Sequence, residues 1–320
     1  MIAVVTGGGG FLGSAIVHAL LARGDQVTSV SRSAYPQLVK AGAKTVQADL
    51  SLSGASIAEA FRGADVVFHC AAKAGIWGSA ASFEKANVLA TSNVLSACLA
   101  AGVRRLVLTS SPSVCFDGKD HVRAGNDLPL ATSFLAHYPR TKADAERLAL
   151  AAHGTDISVC ALRPHLIYGP GDPHLVPRLL ERARAGKLRI VGAGENEVSL
   201  THVQNAAHAH LAAADALAPD AACGGQAYFV SDAQPVRLWD WVNTLLQKQG
   251  LAPVTRRVPF RVAYAAGACM ELLWHALRRK DEPPMTRFVA AQLATSHSYD
   301  MGPASRDFGY EPMLPVDLPS

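Results

Sequence analysis

The chain opens on Ile2-Ala3-Val4-Val5-Thr6, a short run rich in β-branched residues that predicts a buried strand. A glycine-rich loop follows, Thr6-Gly7-Gly8-Gly9-Gly10-Phe11-Leu12-Gly13, and then apolar positions at helical spacing through Leu21. Similar short runs predict strands at Gln26–Val30, Lys44–Ala48, Asp65–His69, Arg105–Thr109 and Ile157–Leu162, with helices over Ala55–Phe61, Phe83–Ala101 and Tyr138–His153. Strands alternating with helices are what a doubly wound sheet requires. The expected class is therefore α/β: a Rossmann-type, doubly wound parallel sheet with a smaller C-terminal substrate lobe. The expected division is 1–168 for a dinucleotide-binding domain. Residues 169–320 would form mainly the substrate-binding lobe, with some elements returning to the main sheet.

Strand, glycine loop and helix in that order make a phosphate cradle. Gly7 allows the tight turn, Gly10 lets backbone approach a pyrophosphate, and Gly13 lets the helix pack closely on the strand, with Phe11 and Leu12 in the same turn. The second strand ends in Ser31-Arg32-Ser33. No acidic residue stands there to grip two ribose hydroxyls, and Arg32 offers planar donors to a 2′-phosphate, so NADP(H) is expected over NAD(H). Asp49, with Leu50 beside it, offers an acceptor to the adenine amine and reads equally as a loop cap. Ala71 and Ala72 are small enough for backbone to pack against a cofactor.

The fifth strand runs into Thr109-Ser110-Ser111-Pro112-Ser113, hydroxyls at the sheet edge where α/β ligands sit. Tyr138 and Lys142 are four residues apart, hence on one face of a helix. A free phenol has a pKa of roughly 10. A nearby ammonium stabilises the phenolate, so the phenol can exchange a proton with a substrate oxygen.

Together these segments resemble the extended short-chain dehydrogenase/reductases, in the branch that includes 3-beta-hydroxysteroid dehydrogenases. The resemblance rests on the glycine loop, His69-Cys-Ala-Ala72, Asn87-Val-Leu-Ala-Thr91, Thr109-Ser-Ser111, Tyr138-x-x-x-Lys142, Leu162-Arg-Pro-His-Leu-Ile-Tyr-Gly-Pro-Gly-Asp172 and Thr201-His-Val-Gln-Asn205. Ala71-Ala-Lys-Ala-Gly-Ile-Trp-Gly78, Pro283-Pro-Met-Thr-Arg-Phe288 and Arg306-Asp-Phe-Gly-Tyr310 are similar to the 2-alkyl-3-oxoalkanoate reductases of bacterial long-chain olefin biosynthesis. The resemblance implies Tyr138 as proton donor or acceptor, Lys142 as the residue that lowers its pKa and binds the nicotinamide ribose, and Pro164 near the carboxamide. It implies Ser111 as the substrate-carbonyl donor, with Ser110 and Ser113 as substitutes. Two departures stand out: Ala90 replaces a usual glycine, and the chain stops at Pro319-Ser320 where relatives continue, which suggests truncation or a short terminus.

The implied reaction is NADPH-dependent reduction of a 2-alkyl-3-oxo acid to the 3-hydroxy acid. Its rivals are a steroid or sterol-carboxylate dehydrogenase and a dinucleotide sensor without chemistry, although sensors typically lack the tyrosine or lysine. Trp77 and the run from Val262 to Trp274 are the candidates to line an alkyl-chain site. That run, within Arg261–Arg279 and ending in Arg278-Arg-Lys280, is too interrupted for a confident membrane span and suits a membrane surface or a core-packed helix equally.

The 320 residues can bury a large core, and the net charge of +4 is too mild to imply a nucleic-acid partner. Six cysteines show no metal or redox spacing and read as core residues in a reducing cytosol. Strand one begins at residue 2, leaving no room for a signal peptide, so a cytoplasmic protein is expected, peripheral to the membrane at most. His202, His208 and His210 lack a completing ligand set, so no metal is expected. The expected partner is a long-chain small molecule. A membrane surface, a second copy of the chain and other enzymes of the pathway are further candidates.

Overall fold

The structure, a computed structural model, describes residues 1–52 and 55–316. Pro319 and Ser320, on which the expectation of a short terminus rests, lie outside the described residues. Seven strands form the main sheet: β1 Ile2–Thr6, β2 Gln26–Ser31, β3 Lys44–Gln47, β4 Val66–His69, β5 Arg105–Thr109, β6 Ser158–Pro164 and β7 Ala227–Val230, in the order β7-β6-β5-β4-β1-β2-β3. Every neighbouring pair is parallel. The strand order reverses between β1 and β4, the switch point at whose carboxyl edge an open sheet forms its crevice.

Side chains alternate across the sheet, as the pleat demands. Ala3, Val5, Val107, Cys160 and Leu162 face one core, which helices α1 Phe11–Ala22 and, later in the chain, Val203–Ala216 cover. Val4, Leu106, Leu108, Val159 and Ala161 face the other, covered by α2 Ala90–Ala101. A sheet buried on both faces needs apolar residues at consecutive positions, hence the unbroken apolar runs.

The expected helix over Phe83–Ala101 is composite. An α-helical turn at Ala80–Phe83 passes into a π-helix at Glu84–Leu89 and then into α2. The helix expected over Tyr138–His153, α3, spans His137–Ala151, starting one residue earlier and ending two earlier than its periodicity predicts. Beyond it lie α4 Val203–Ala216, α5 Phe260–Ala276 and α6 Arg287–Ala294.

In the second half, β7 returns to the main sheet beside β6. A separate core gathers Tyr168, Leu188, Ile190, Val198, Trp239 and Trp241. His121–Ala124 leaves the first half to pair with His297–Tyr299.

The solvent-facing side of α5 differs from the expected alkyl-chain wall. Its inward positions are Ala263, Gly267 and Glu271, whereas Val262, Leu272 and Leu273 are exposed, Leu272 at 74%. A Cβ at Gly267 would stand 2.6 Å from the Thr286 carbonyl carbon, so glycine lets α5 close directly onto the start of α6. Among the described residues no helix is long and apolar enough to cross a membrane.

Candidate active site

The glycine loop is pressed between β1, β4 and α1. Gly7 has φ +70°, and a Cβ there would meet the backbone of Ala71 at 2.8 Å. At Gly13 a Cβ would come 2.2 Å from the Gly7 carbonyl oxygen, so this glycine sets the distance between loop and helix. Gly10 is the N-cap of α1, whose first turn has no capping side chain and no acidic residue. Those amides are suited to an anion.

A cleft of about 600 Å³ opens above the loop. Of the expected cofactor residues, Gly7, Gly10, Ser31, Arg32, Asp49, Leu50, Ala71 and Ala72 line it. Phe11, Leu12, Gly13, Pro164 and Lys142 do not: Leu12 and Gly13 are buried in helix packing, and Pro164 is buried at the end of β6. Asp49 is engaged as a loop cap, accepting from the Ser51 amide at 2.9 Å and the Ser51 hydroxyl at 2.6 Å. Those bonds hold its carboxyl below the usual carboxylate range. The sequence reading missed Tyr35, Lys73 and Lys85, which also line the cleft. Tyr35 covers the loop so closely that a Cβ at Gly9 would stand 2.1 Å from its ring. Only the folded connection between β2 and β3 brings the two together.

Ser111, Tyr138 and Lys142 meet at the carboxyl end of β5. The Ser111 side chain stands near the Tyr138 hydroxyl and favours its ionised form. Lys142, buried, gives its ammonium to the Thr109 carbonyl at 2.6 Å. The electrostatics differ from the helical-pair expectation. Burial pushes the Tyr138 phenol up, and Ser111 is the group that pulls it back. Lys142 is itself pushed down by burial, to about 8.

The three serines are sorted by their partners. Ser110 is buried and donates to Glu146 Oε2 at 2.5 Å. Glu146 in turn holds Arg163 through Nη2 at 2.5 Å and Nε at 3.0 Å. Ser113 lies 2.9 Å from Ser111, oxygen to oxygen.

A buried relay sets the surroundings. Thr91 donates to the Asn87 carbonyl at 2.6 Å and therefore accepts from His69 Nε2 at 3.0 Å. The other ring nitrogen of His69 then accepts from Thr6 at 2.7 Å. Burial, helped by Lys142, pushes the His69 pKa down to about 3, so this ring is neutral. His210 is likewise a satisfied core residue. It donates Nδ1–H to the Ala206 carbonyl at 2.7 Å and accepts from the Thr109 hydroxyl at 2.8 Å.

Fold and site define an NAD(P)-dependent oxidoreductase of the extended short-chain dehydrogenase/reductase type. The chain belongs to the 3-beta hydroxysteroid dehydrogenase/isomerase family, whose profile matches residues 4–260. It is 48% identical over 316 residues to 2-alkyl-3-oxoalkanoate reductase of Stenotrophomonas maltophilia (strain K279a), covering 98% of this chain and 96% of that protein. With the decarboxylating sterol-4-alpha-carboxylate 3-dehydrogenase of Mus musculus the identity is 34% over 318 residues, covering 98% and 87%. Among solved structures, MoeE5 in complex with UDP-glucose and NAD superposes with a TM-score of 0.74 at 27% identity, covering 99% of this chain and 95% of that one.

Proposed function

We propose that the protein reduces the ketone of a long-chain 2-alkyl-3-oxoalkanoic acid to the 3-hydroxy acid with NADPH. The observation that carries the chemistry is the nearness of the Ser111 side chain to the Tyr138 phenol at the strand end where the buried ammonium of Lys142 is held on the Thr109 carbonyl. Two hydroxyls so placed can share one substrate oxygen, the atom on which negative charge develops. Tyr138 gives that oxygen its proton, and Ser111 orients it. The dinucleotide supplies the hydride. Gly7, Gly10 and the open first turn of α1 would hold its pyrophosphate, and Ala71 and Ala72 would line its path along the cleft.

NADP(H) is favoured over NAD(H) by Ser31 and Arg32 at the rim, where Arg32 is exposed beside Ser33 and no carboxylate replaces them. The substrate class is supported by the 48% relative, against 34% for the sterol-carboxylate enzyme. The test follows NADPH oxidation against 2-alkyl-3-oxo acids of increasing chain length, steroid ketones and nucleotide sugars. Efficiency should climb with chain length, since each buried methylene is worth about 0.8 kcal/mol. Highest efficiency on a rigid steroid would overturn the substrate class and leave the reductase standing.

The outward face of α5 supports docking on an anionic bilayer. Val262, Ala265, Cys269, Leu272 and Leu273 form an exposed apolar stripe, flanked by exposed Arg261, Arg278 and Lys280 that make no ion pair among the described residues. Apolar stripe and basic flanks together match an acidic lipid surface. Leu272→Asp/Leu273→Asp should abolish cosedimentation with vesicles containing phosphatidylglycerol. Equal cosedimentation with neutral vesicles, or none by the unmodified protein, would overturn this.

A further inference from the structure

We propose that Lys73 binds the carboxylate of the substrate and selects a β-oxo acid over a simple ketone; this rests on the oxo-acid reading above. Lys73 lies in the connection that leaves β4 at the carboxyl edge of the sheet, and it lines the cleft. Its main chain is fixed on both sides by one residue. The Lys73 amide donates to Asn87 Oδ1 at 2.7 Å, and Asn87 Nδ2 donates to the Lys73 carbonyl at 3.3 Å. The same Nδ2 group reaches Thr141 Oγ1 at 2.9 Å, on α3 immediately before Lys142. Asn87 thus locks the backbone of Lys73 to the helix that carries Tyr138.

The ammonium is also held. It donates to Ser82 Oγ at 2.6 Å and stands 4.5 Å from the centroid of the Phe83 ring. Ser82 is anchored in turn, donating to the Ser79 carbonyl at 2.7 Å. Gly78 leaves the ammonium its space: it has φ +139°, and a Cβ there would lie 2.7 Å from Nζ. Farther along the same segment, Ile76 packs in the cluster that includes Leu135 and Ala136, just before α3. The segment therefore runs from the cofactor cleft to the start of the Tyr138 helix.

Among the described residues Lys73 has no carboxylate partner. A cation half-buried on an aromatic ring, with only a hydroxyl to bond, has donor capacity left for an anionic oxygen. Two such oxygens can enter the cleft, one on a cofactor phosphate and one on the substrate. In a 2-alkyl-3-oxo acid the carboxyl carbon is two bonds from the ketone carbon. A ketone oxygen on Ser111 and Tyr138 therefore keeps the carboxylate within two bonds of the reacting carbon, at the helix to which Asn87 ties the Lys73 backbone.

The test measures kcat/KM with saturating NADPH for a 2-alkyl-3-oxo acid and its methyl ester, together with the Kd for NADPH, in the full chain. Lys73→Met should lower the acid-to-ester ratio about ten- to a hundredfold, mainly through KM, as loss of a charged hydrogen bond does. Ser82→Ala, which frees the ammonium without removing it, should lower the ratio less and serves if Lys73→Met does not fold. An unchanged ratio overturns the proposal. So does a weakened Kd for NADPH with the ratio intact, which would place the ammonium on a cofactor phosphate. If the unmodified enzyme reduces neither acid nor ester, the oxo-acid reading itself falls, and this proposal with it.

Discussion

The Ser110 hydroxyl donates to Glu146 Oε2 at 2.5 Å, leaving Ser111 as the serine that faces Tyr138. Ser111→Ala should therefore slow the chemical step on the order of a hundredfold or more, as removing one oxyanion donor does. Ser110→Ala should act on stability instead, because its oxygen is committed within the protein. Single-turnover rates and urea unfolding of both variants separate the two roles; a larger rate loss in Ser110→Ala would reverse the assignment.

Tyr138→Phe should abolish turnover while leaving NADPH binding intact, since the phenol meets Ser111 and does not line the dinucleotide cleft. Cofactor fluorescence titration and a turnover assay on the same sample check this. Retained activity would remove the proton-donor role from Tyr138.

Glu146 and Arg163 form an ion pair with side chains 1% and 5% exposed. Removing the carboxylate charge with Glu146→Gln leaves a buried guanidinium uncompensated, a change that costs about 3–5 kcal/mol in comparable sites. The urea midpoint should fall accordingly. A loss below 1 kcal/mol would mean that the arginine finds another partner.

Arg32→Ala should weaken NADPH about tenfold and leave NADH within about twofold, the change expected when one charged contact to a 2′-phosphate is lost. Equal affinities for the two cofactors in the unmodified enzyme would show that Arg32 does not reach the phosphate.

Burial depresses His69 to about 3 and both His165 and His210 to about 4, whereas the unfolded chain titrates near 6.5. Between those values the unfolded chain binds protons that the folded chain refuses. Stability is thus complete above about pH 6.5 and falls as pH drops toward 4, by up to about 1.4 kcal/mol per unit for each histidine. Urea midpoints at pH 7.5, 6.0 and 5.0 test the trend. His210→Asn should flatten it; a midpoint that rises on acidification contradicts it.

Local pattern reveals much of this molecule. β1, the glycine turn and α1 are legible because adjacent residues make them, and Tyr138-x-x-x-Lys142 because helical spacing is local. The π-turn at Glu84–Leu89 is invisible to an apolar periodicity, which cannot tell five-residue from four-residue bonding over a single turn. Tyr35 on Gly9, Glu146 under Ser110 and Lys73 against Asn87 depend on contacts between distant segments. The direction of the Tyr138 shift escapes as well, because spacing identifies a neighbouring charge and says nothing of how dry the site is. Burial on α5 reverses the expected use of Leu273 for the same reason: apolarity does not say which face is covered.

Trp77 Nε1 donates to the Arg279 carbonyl at 3.1 Å, across a separation of 202 residues, and its ring lies 4.6 Å from that of His275. The Lys73–Gly78 segment is therefore braced by a part of the chain made long after it. On the ribosome the sheet from β1 to β6 can assemble early, but the segment that carries Lys73 stays unbraced until residue 279 has emerged. A nascent chain would acquire a dinucleotide cradle well before the Lys73–Gly78 segment beside it is braced, so cofactor can serve as a folding ligand for a chain whose second half is still being made.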